Sequence, residues 1–146
     1  MRLSRSSDYA LRAMIFLAGL PGGQVASGSV IAAETGVGEP FLLKVLRLLV
    51  RARLVRAQPG SGGGFQLNLP ADQISMLRVV EAVDGPLDLG TCLVEDQQCD
   101  RKPWCSVHTV LAEVHEHAVK VLSRTSIERL RRDGDIRRDF LHNLGN

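Results

Sequence analysis

The feature that most constrains this chain is a pair of short apolar segments meeting at Gly36-Val37-Gly38. Ahead of that turn, the spacing predicts a helix over residues 27–35, with Ser27 as its N-cap and Val30, Ile31 and Ala33 on its apolar side. A second helix follows over residues 40–52, and Pro40 suits its first turn. Phe41, Leu42, Val45, Leu46, Leu48 and Leu49 make it apolar, while Lys44, Arg47 and Arg51 recur at spacings of three and four on one common face. Two short helices joined by a glycine-containing turn form the helix-turn-helix pattern. Residues 54–57 then read as a strand, residues 59–64 as a glycine-rich turn, and Phe65-Gln66-Leu67-Asn68-Leu69 alternates as a second strand should. A hairpin in that place is a wing.

The flanking segments are mostly helical. Residues 6–19 carry Tyr9, Ala13, Phe16 and Leu17 as a helical stripe, ended by Leu20-Pro21-Gly22-Gly23. Residues 74–83 form a further helix with Leu77, Val80 and Val83 inward. Residues 87–103 show no sustained period and read as a loop. Residues 105–124 form a long helix, on which Val107, Leu111, Val114, Ala118, Val121 and Thr125 alternate by four and three. That is a heptad-like seam suited to a partner helix. The chain closes with Ser126-Ile127-Glu128-Arg129-Leu130 and a charged tail. With only six aromatic residues, the core must come from Leu, Val, Ile and Ala. The fold class is mainly α with a small β-hairpin wing. Residues 1–83 form the winged helix-turn-helix domain, 84–104 a cysteine-containing loop, and 105–146 the dimerisation helix and tail.

No apolar run reaches the roughly 20 residues of a membrane span. The N-terminus lacks the apolar stretch of a secretory signal, so the expected location is the cytoplasm. Net charge is only +2, but its distribution is uneven. Residues 1–60 hold eight basic and three acidic residues, a balance of +5; the remainder holds ten and thirteen, a balance of −3. A basic N-terminal part joined to an acidic remainder fits a module that contacts double-stranded DNA beside one that does something else. In a recognition helix the first turn meets base edges and basic residues meet phosphates. Glu39, Pro40, Phe41 and Lys44 are the candidates near bases, with Arg47 and Arg51 on phosphates. Arg2 and the wing residues Ser61, Gly62 and Gly63 complete the candidate DNA surface. The competing reading of each charge is a solvated helix face, and of Phe41 a core residue.

Three cysteines, Cys92, Cys99 and Cys105, cluster in a short stretch, with His108 one helical turn beyond the last. In a reducing compartment such a cluster points to metal ligands or redox thiols. Three thiolates and one further ligand would hold zinc or an iron–sulfur cluster. His115, His117 and His142 read as solvated.

The chain resembles the Rrf-two family of winged-helix regulators. The likeness is carried by Met1-Arg2-Leu3-Ser4, Asp8-Tyr9-Ala10-Leu11-Arg12-Ala13, Ile31-Ala32-Ala33-Glu34-Thr35-Gly36-Val37, Gly62-Gly63-Gly64-Phe65, the three cysteines and the long helix. It implies a homodimer whose long helices pack together, a near-palindromic operator, and an iron–sulfur cluster on Cys92, Cys99 and Cys105. One branch of the family implies a 2Fe–2S cluster with His108 as fourth ligand. Another, which senses nitric oxide, implies a 4Fe–4S cluster with Asp8. This chain has both residues. It departs from the family pattern at the wing, where Pro59 replaces a common arginine and Asn68 a common basic residue. The expected function is a DNA-binding regulator, a repressor controlled by cluster state. The alternative is a cluster-free or thiol-based regulator of the same family that acts through a partner protein. No catalytic constellation or nucleotide-binding loop supports an enzyme.

Overall fold

The computed structural model describes residues 3–22, 24–90, 93 and 99–144. Among these, helices α1 (Arg5–Ala18), α2 (Gly28–Thr35) and α3 (Glu39–Arg51) precede strands β1 (Val55–Gln58) and β2 (Gly64–Leu67). Helices α4 (Met76–Asp84), α5 (Ser106–Arg124) and α6 (Ile127–Leu144) follow. Short 3-10 turns cover Ala71–Gln73 and Lys102–Trp104. The expected mainly helical winged helix-turn-helix is therefore the observed architecture.

Local chemistry explains the boundaries. The Ser4 hydroxyl caps α1 by accepting from the Ser7 amide, and Ser27 caps α2 by accepting from the Val30 amide. Helix α2 stops at Gly36, whose φ of 68° is left-handed and suits glycine. Proline in the first turn of α3 lacks an N–H that the helix would leave unpaired there anyway. The wing is one antiparallel pair in which Val55 faces Leu67 and Gln58 faces Gly64. Phe65 also exchanges two backbone bonds with Ala26, of 3.0 and 2.8 Å, which ties the hairpin to the entry of α2. Gly64 makes that possible, since a Cβ there would run into the Ala26 carbonyl.

Helix α1 is the hub of the core. It packs against α2, α3, α4, α6 and β2. Its fully buried Ala10 and Ala13 let neighbours come close, and Met14 and Leu17 fill the space between them. Leu42, Val45, Leu46 and Leu49 bury one face of α3 against this core. Some expected core positions differ. Val30 is exposed, and Ile31 alone of the three apolar residues assigned to α2 is buried. On α4 the buried pair is Val79 and Val80, with Leu77 and Val83 half-buried, the face being set by packing against α1 and α3. Tyr9 and Phe16 on α1 are half-buried.

The main departure lies at the C-terminal end. The charged tail is a helix, α6, and it docks on α1. Ile127 is fully buried, and Leu130 packs against the same core. Burying an isoleucine of this kind contributes about 1.5–3 kcal/mol. Ion pairs three and four residues apart support the outer faces: Arg131 with Glu128 and Asp135, Arg132 with Glu128, and Arg129 with Asp133. Hydrogen bonds from Arg131, then Arg132, hold the Glu128 carboxyl down to about 2.

Helix α5 behaves oppositely. It has no buried residue, and its main neighbour in the chain is α4. Val107, Val110, Val114 and Val121 are 62%, 59%, 51% and 50% exposed. Within the expected seam, Leu111 and Ala118 are half-buried instead, and Val110 joins the outward stripe.

One polar clasp joins the two ends of the winged domain. Asp84, the last residue of α4, accepts from the Ser4 hydroxyl at 2.6 Å, the Ser7 hydroxyl at 2.7 Å and the Ser4 amide at 3.3 Å. A carboxylate is unfavourable at the C-terminal end of its own helix but favourable at the N-terminal end of α1. Burial raises its pKa, and the bonds from Ser4 and Ser7 outweigh that and hold it below the ordinary 3.8. A depressed folded pKa stabilises the fold above the unfolded value, and the gain is lost as pH falls through the folded one. Asp84→Asn is therefore expected to cost about 1 kcal/mol near neutrality, after allowance for solvent screening. The cost should shrink toward zero as pH drops below the ordinary carboxylate value. Urea denaturation at a series of pH values checks this, and a pH-independent difference would contradict it.

Candidate nucleic-acid interface and cysteine loop

The amphipathic phase of α3 decides what its basic residues do. With Leu42, Val45, Leu46 and Leu49 turned inward, Lys44, Arg47 and Arg51 emerge together on the exposed face. Among the described residues none of the three lies in an ion pair. Unpaired cations on one helix face can neutralise phosphates without first giving up an internal partner. Glu39 and Pro40 are exposed at the start of the same helix.

Phe41 stands between the two readings open to it. Its ring is 41% exposed, yet it meets Tyr9 edge-on, with centroids 5.6 Å apart and an interplanar angle of 86°. That geometry is favourable for two aromatic rings and fixes the exposed part of Phe41. The Arg12 guanidinium lies 5.9 Å from the Tyr9 ring centroid, and Arg12 pairs with Asp8 at 2.8 Å. Tyr9 and Arg12 thus support the start of α3, a role that sequence spacing did not expose. In the wing, Ser61 and Gly62 are exposed at the turn, while Gly63 is half-buried. A Cβ on Gly63 would strike the Gln58 carbonyl, so this glycine serves the hairpin itself. Arg56 donates across the hairpin to Gln66 at 3.0 Å. The Asn68 amide donates to the carbonyl of Arg53 at 3.0 Å, and Arg53 has a positive φ of 59°. Asn68 thus secures the turn between α3 and β1. Arg2 lies outside the described residues.

The cysteine region sits between α4 and α5. Cys92 lies outside the described residues. Cys99 is exposed, and its carbonyl accepts from the Lys102 amide at 3.0 Å to close a turn. Cys105 is half-buried and is the N-cap residue of α5, with no side-chain capping bond. The first-turn amides of α5 therefore have no side-chain cap. His108 follows one turn on, half-buried, with Nδ1 buried and without a hydrogen-bond partner among the described residues. His115 has the same unpartnered Nδ1 and is half-buried, contrary to its solvated reading; His117 and His142 are exposed. Asp8 lies on the first turn of α1 and is half-exposed in its pair with Arg12. Among the described residues, no three of the His, Cys, Asp and Glu side chains converge as a metal site. The donor types nevertheless fit an iron–sulfur cluster: two described thiols, one at a helix N-terminus, and an orphaned imidazole one turn away. Asp84 and its serine partners hold the start of this loop to α1. The sequence signal for that role is an aspartate where the dipole of its own helix disfavours it.

Comparison with known proteins agrees with the fold. The family profile Rrf2, described as an iron-dependent transcriptional regulator, matches residues 3–133. A Mycobacterium tuberculosis protein named as an HTH-type transcriptional regulator is 34% identical over 128 residues, covering 88% of this chain and 76% of its own length. Among solved structures, CymR, the global cysteine regulator of B. subtilis, gives a TM-score of 0.74 at 24% identity, covering 90% of this chain and 96% of that one. IscR of T. potens gives 0.73 at 22% identity, covering 92% and 88%. The oxidised form of Staphylococcus aureus CymR gives 0.69 at 26% identity, covering 90% and 96%. No described helix is long and apolar enough to cross a membrane. With a winged helix-turn-helix, a basic face on α3 and a profile match over most of its length, the chain belongs to the Rrf2 family and is a transcription regulator, not an enzyme.

Proposed function

We propose that this chain is a dimeric repressor whose hold on near-palindromic double-stranded DNA is governed by an iron–sulfur cluster bound through Cys92, Cys99 and Cys105. The observation that carries the reading is the position of Cys105 at the N-cap of α5, the helix whose valine stripe is unpartnered within one chain. A chemical change at the cysteine loop then acts on the helix that joins two copies. Pairing the α5 stripes removes four exposed valines from water on each copy. The α3 helices then enter successive major grooves, with Lys44, Arg47 and Arg51 on phosphates and Glu39, Pro40 and Phe41 near bases. Arg2 and the wing residues Ser61, Gly62 and Gly63 extend the contact. The domain limits follow this division of labour: residues 1–83 read DNA, 84–104 bear the cysteines, and 105–146 carry the dimer helix.

The fourth ligand is His108 or Asp8, and the cluster is correspondingly 2Fe–2S or 4Fe–4S. When bound, the cluster supplies iron that responds to nitric oxide, redox state or iron supply. The chain's own part is to make two loop arrangements differ in energy, since only such a difference shifts the equilibrium. Cys105 and His108 are fixed to α5, and Cys99 to the turn before it. If Asp8 is the ligand, it must leave Arg12, which frees a guanidinium beside Tyr9.

The exposure of Cys99 favours one further reading, a cluster-free thiol switch that acts through a partner protein. A structural relative, CymR of Staphylococcus aureus, has been crystallised in an oxidised form.

Anaerobic purification followed by visible absorption and iron analysis tests the cluster. A coloured, iron-containing protein that loses both in Cys99→Ala and Cys105→Ala is expected; a colourless, iron-free protein that binds promoter DNA unchanged would sink the sensing claim. Lys44→Ala and Arg47→Ala should each weaken DNA binding and lower the salt slope by about 2, one phosphate contact being lost from each copy of the proposed dimer. An unchanged slope in fluorescence anisotropy would remove these residues from the interface.

A further inference from the structure

A cleft of about 620 Å³ opens between α1, α2 and α6, in the size range of roughly 300–1,000 Å³ usual for small-molecule sites. Ile15, Phe16 and Leu20 give it an apolar wall. Its charged lining comprises Arg12, Arg131 and Arg138 against Glu34 and Asp135.

These charges differ in how free they are. Arg131 is fully engaged: Nε and Nη2 donate to the two Glu128 carboxylate oxygens at 3.0 Å each, and Nη1 donates to Asp135 at 2.8 Å. Its stem lies against Gly19, so it serves to dock α6 on α1. Arg12 is held by Asp8. Glu34 and Arg138 are exposed, and among the described residues neither lies in an ion pair.

The backbone adds a polarity. Glu34 and Thr35 are the last residues of α2, and Ile15 and Phe16 lie in the last turn of α1. Neither helix has a basic residue in its own last turn; Arg131 lies against the α1 end at Gly19, while the partial negative charge of the α2 end adds to Glu34. With Glu34, the α2 side favours a cation. The α6 side, with Arg138, favours an anion.

We propose that this cleft binds a small zwitterion, a free α-amino acid with an apolar side chain. Its ammonium meets Glu34, its carboxylate meets Arg138, and its side chain lies on Ile15, Phe16 and Leu20. Because α1 also carries the Asp84 clasp and supports α3 through Tyr9, occupation of the cleft gives the regulator proposed above a second input. The site itself depends on neither DNA nor iron.

Isothermal titration of the full chain with L-leucine, L-isoleucine and L-methionine in turn tests this. Saturable binding of at least one is expected, weakened about tenfold or more when the same amino acid is offered as its methyl ester or its N-acetyl form. Glu34→Gln and Arg138→Ala should weaken it to a similar degree, and both positions are exposed and outside the DNA and cysteine residues. No saturable binding at millimolar concentration overturns the proposal, as does binding indifferent to the blocked forms or to both variants. Because the titration contains no DNA and no iron, its failure leaves the proposed DNA and cluster functions standing, and their failure leaves the cleft to be judged alone.

Discussion

The structure depends on how closely other elements can approach α1. Ala10 and Ala13 are fully buried there, and a larger side chain at either would push neighbours outward. Around that close contact sit the two helices of the DNA-reading motif, α4 and α6. The same helix touches each functional region. Its first turn receives Asp84 from the start of the cysteine loop, Tyr9 steadies Phe41 on α3, and its last turns wall the α6 cleft. A change in any one of these regions therefore has a short mechanical route to the others.

Helix α5 is the counterpart of this hub. A 19-residue helix with no buried residue gains little from packing within one chain. Its exposed valine stripe is left to be covered, and in the proposed dimer a second copy would offer the same stripe by symmetry. The cysteine loop joins α4 to α5 along the chain, and the same two helices also meet directly, with the Met76 amide donating to the Thr125 carbonyl at 2.7 Å.

The DNA-reading motif was legible from sequence because its signals are local. On α3, apolar residues at helical spacing define the buried face and leave Lys44, Arg47 and Arg51 outside. Ser27 and Gly36 mark the ends of α2 through capping chemistry readable within a few residues. Other features were not local. Among the described residues, helix α6 packs Ile127 and Leu130 on the core, and Gly134 lies in its interior. Its remaining support comes from ion pairs whose partners resemble a disordered charged run. The Asp84 clasp spans 80 residues, so no window of sequence displays it. Val30 is exposed because apolar residues stand on more than one side of the short α2, and packing on α1 and α3 selects the Ile31 side. For the proposed cysteine site the residue types are readable, but Asp8 and His108 stand on different helices, and no local spacing chooses between them.

The central claim is that the state of the cysteine loop sets the DNA affinity of the winged domain. The direct measurement is fluorescence anisotropy with promoter DNA at fixed salt on one anaerobic preparation, before and after the iron is removed by chelation. An affinity change of about tenfold or more, equivalent to about 1.4 kcal/mol of coupling, is predicted. Iron-loaded and iron-free protein binding with the same affinity and the same salt slope would contradict it.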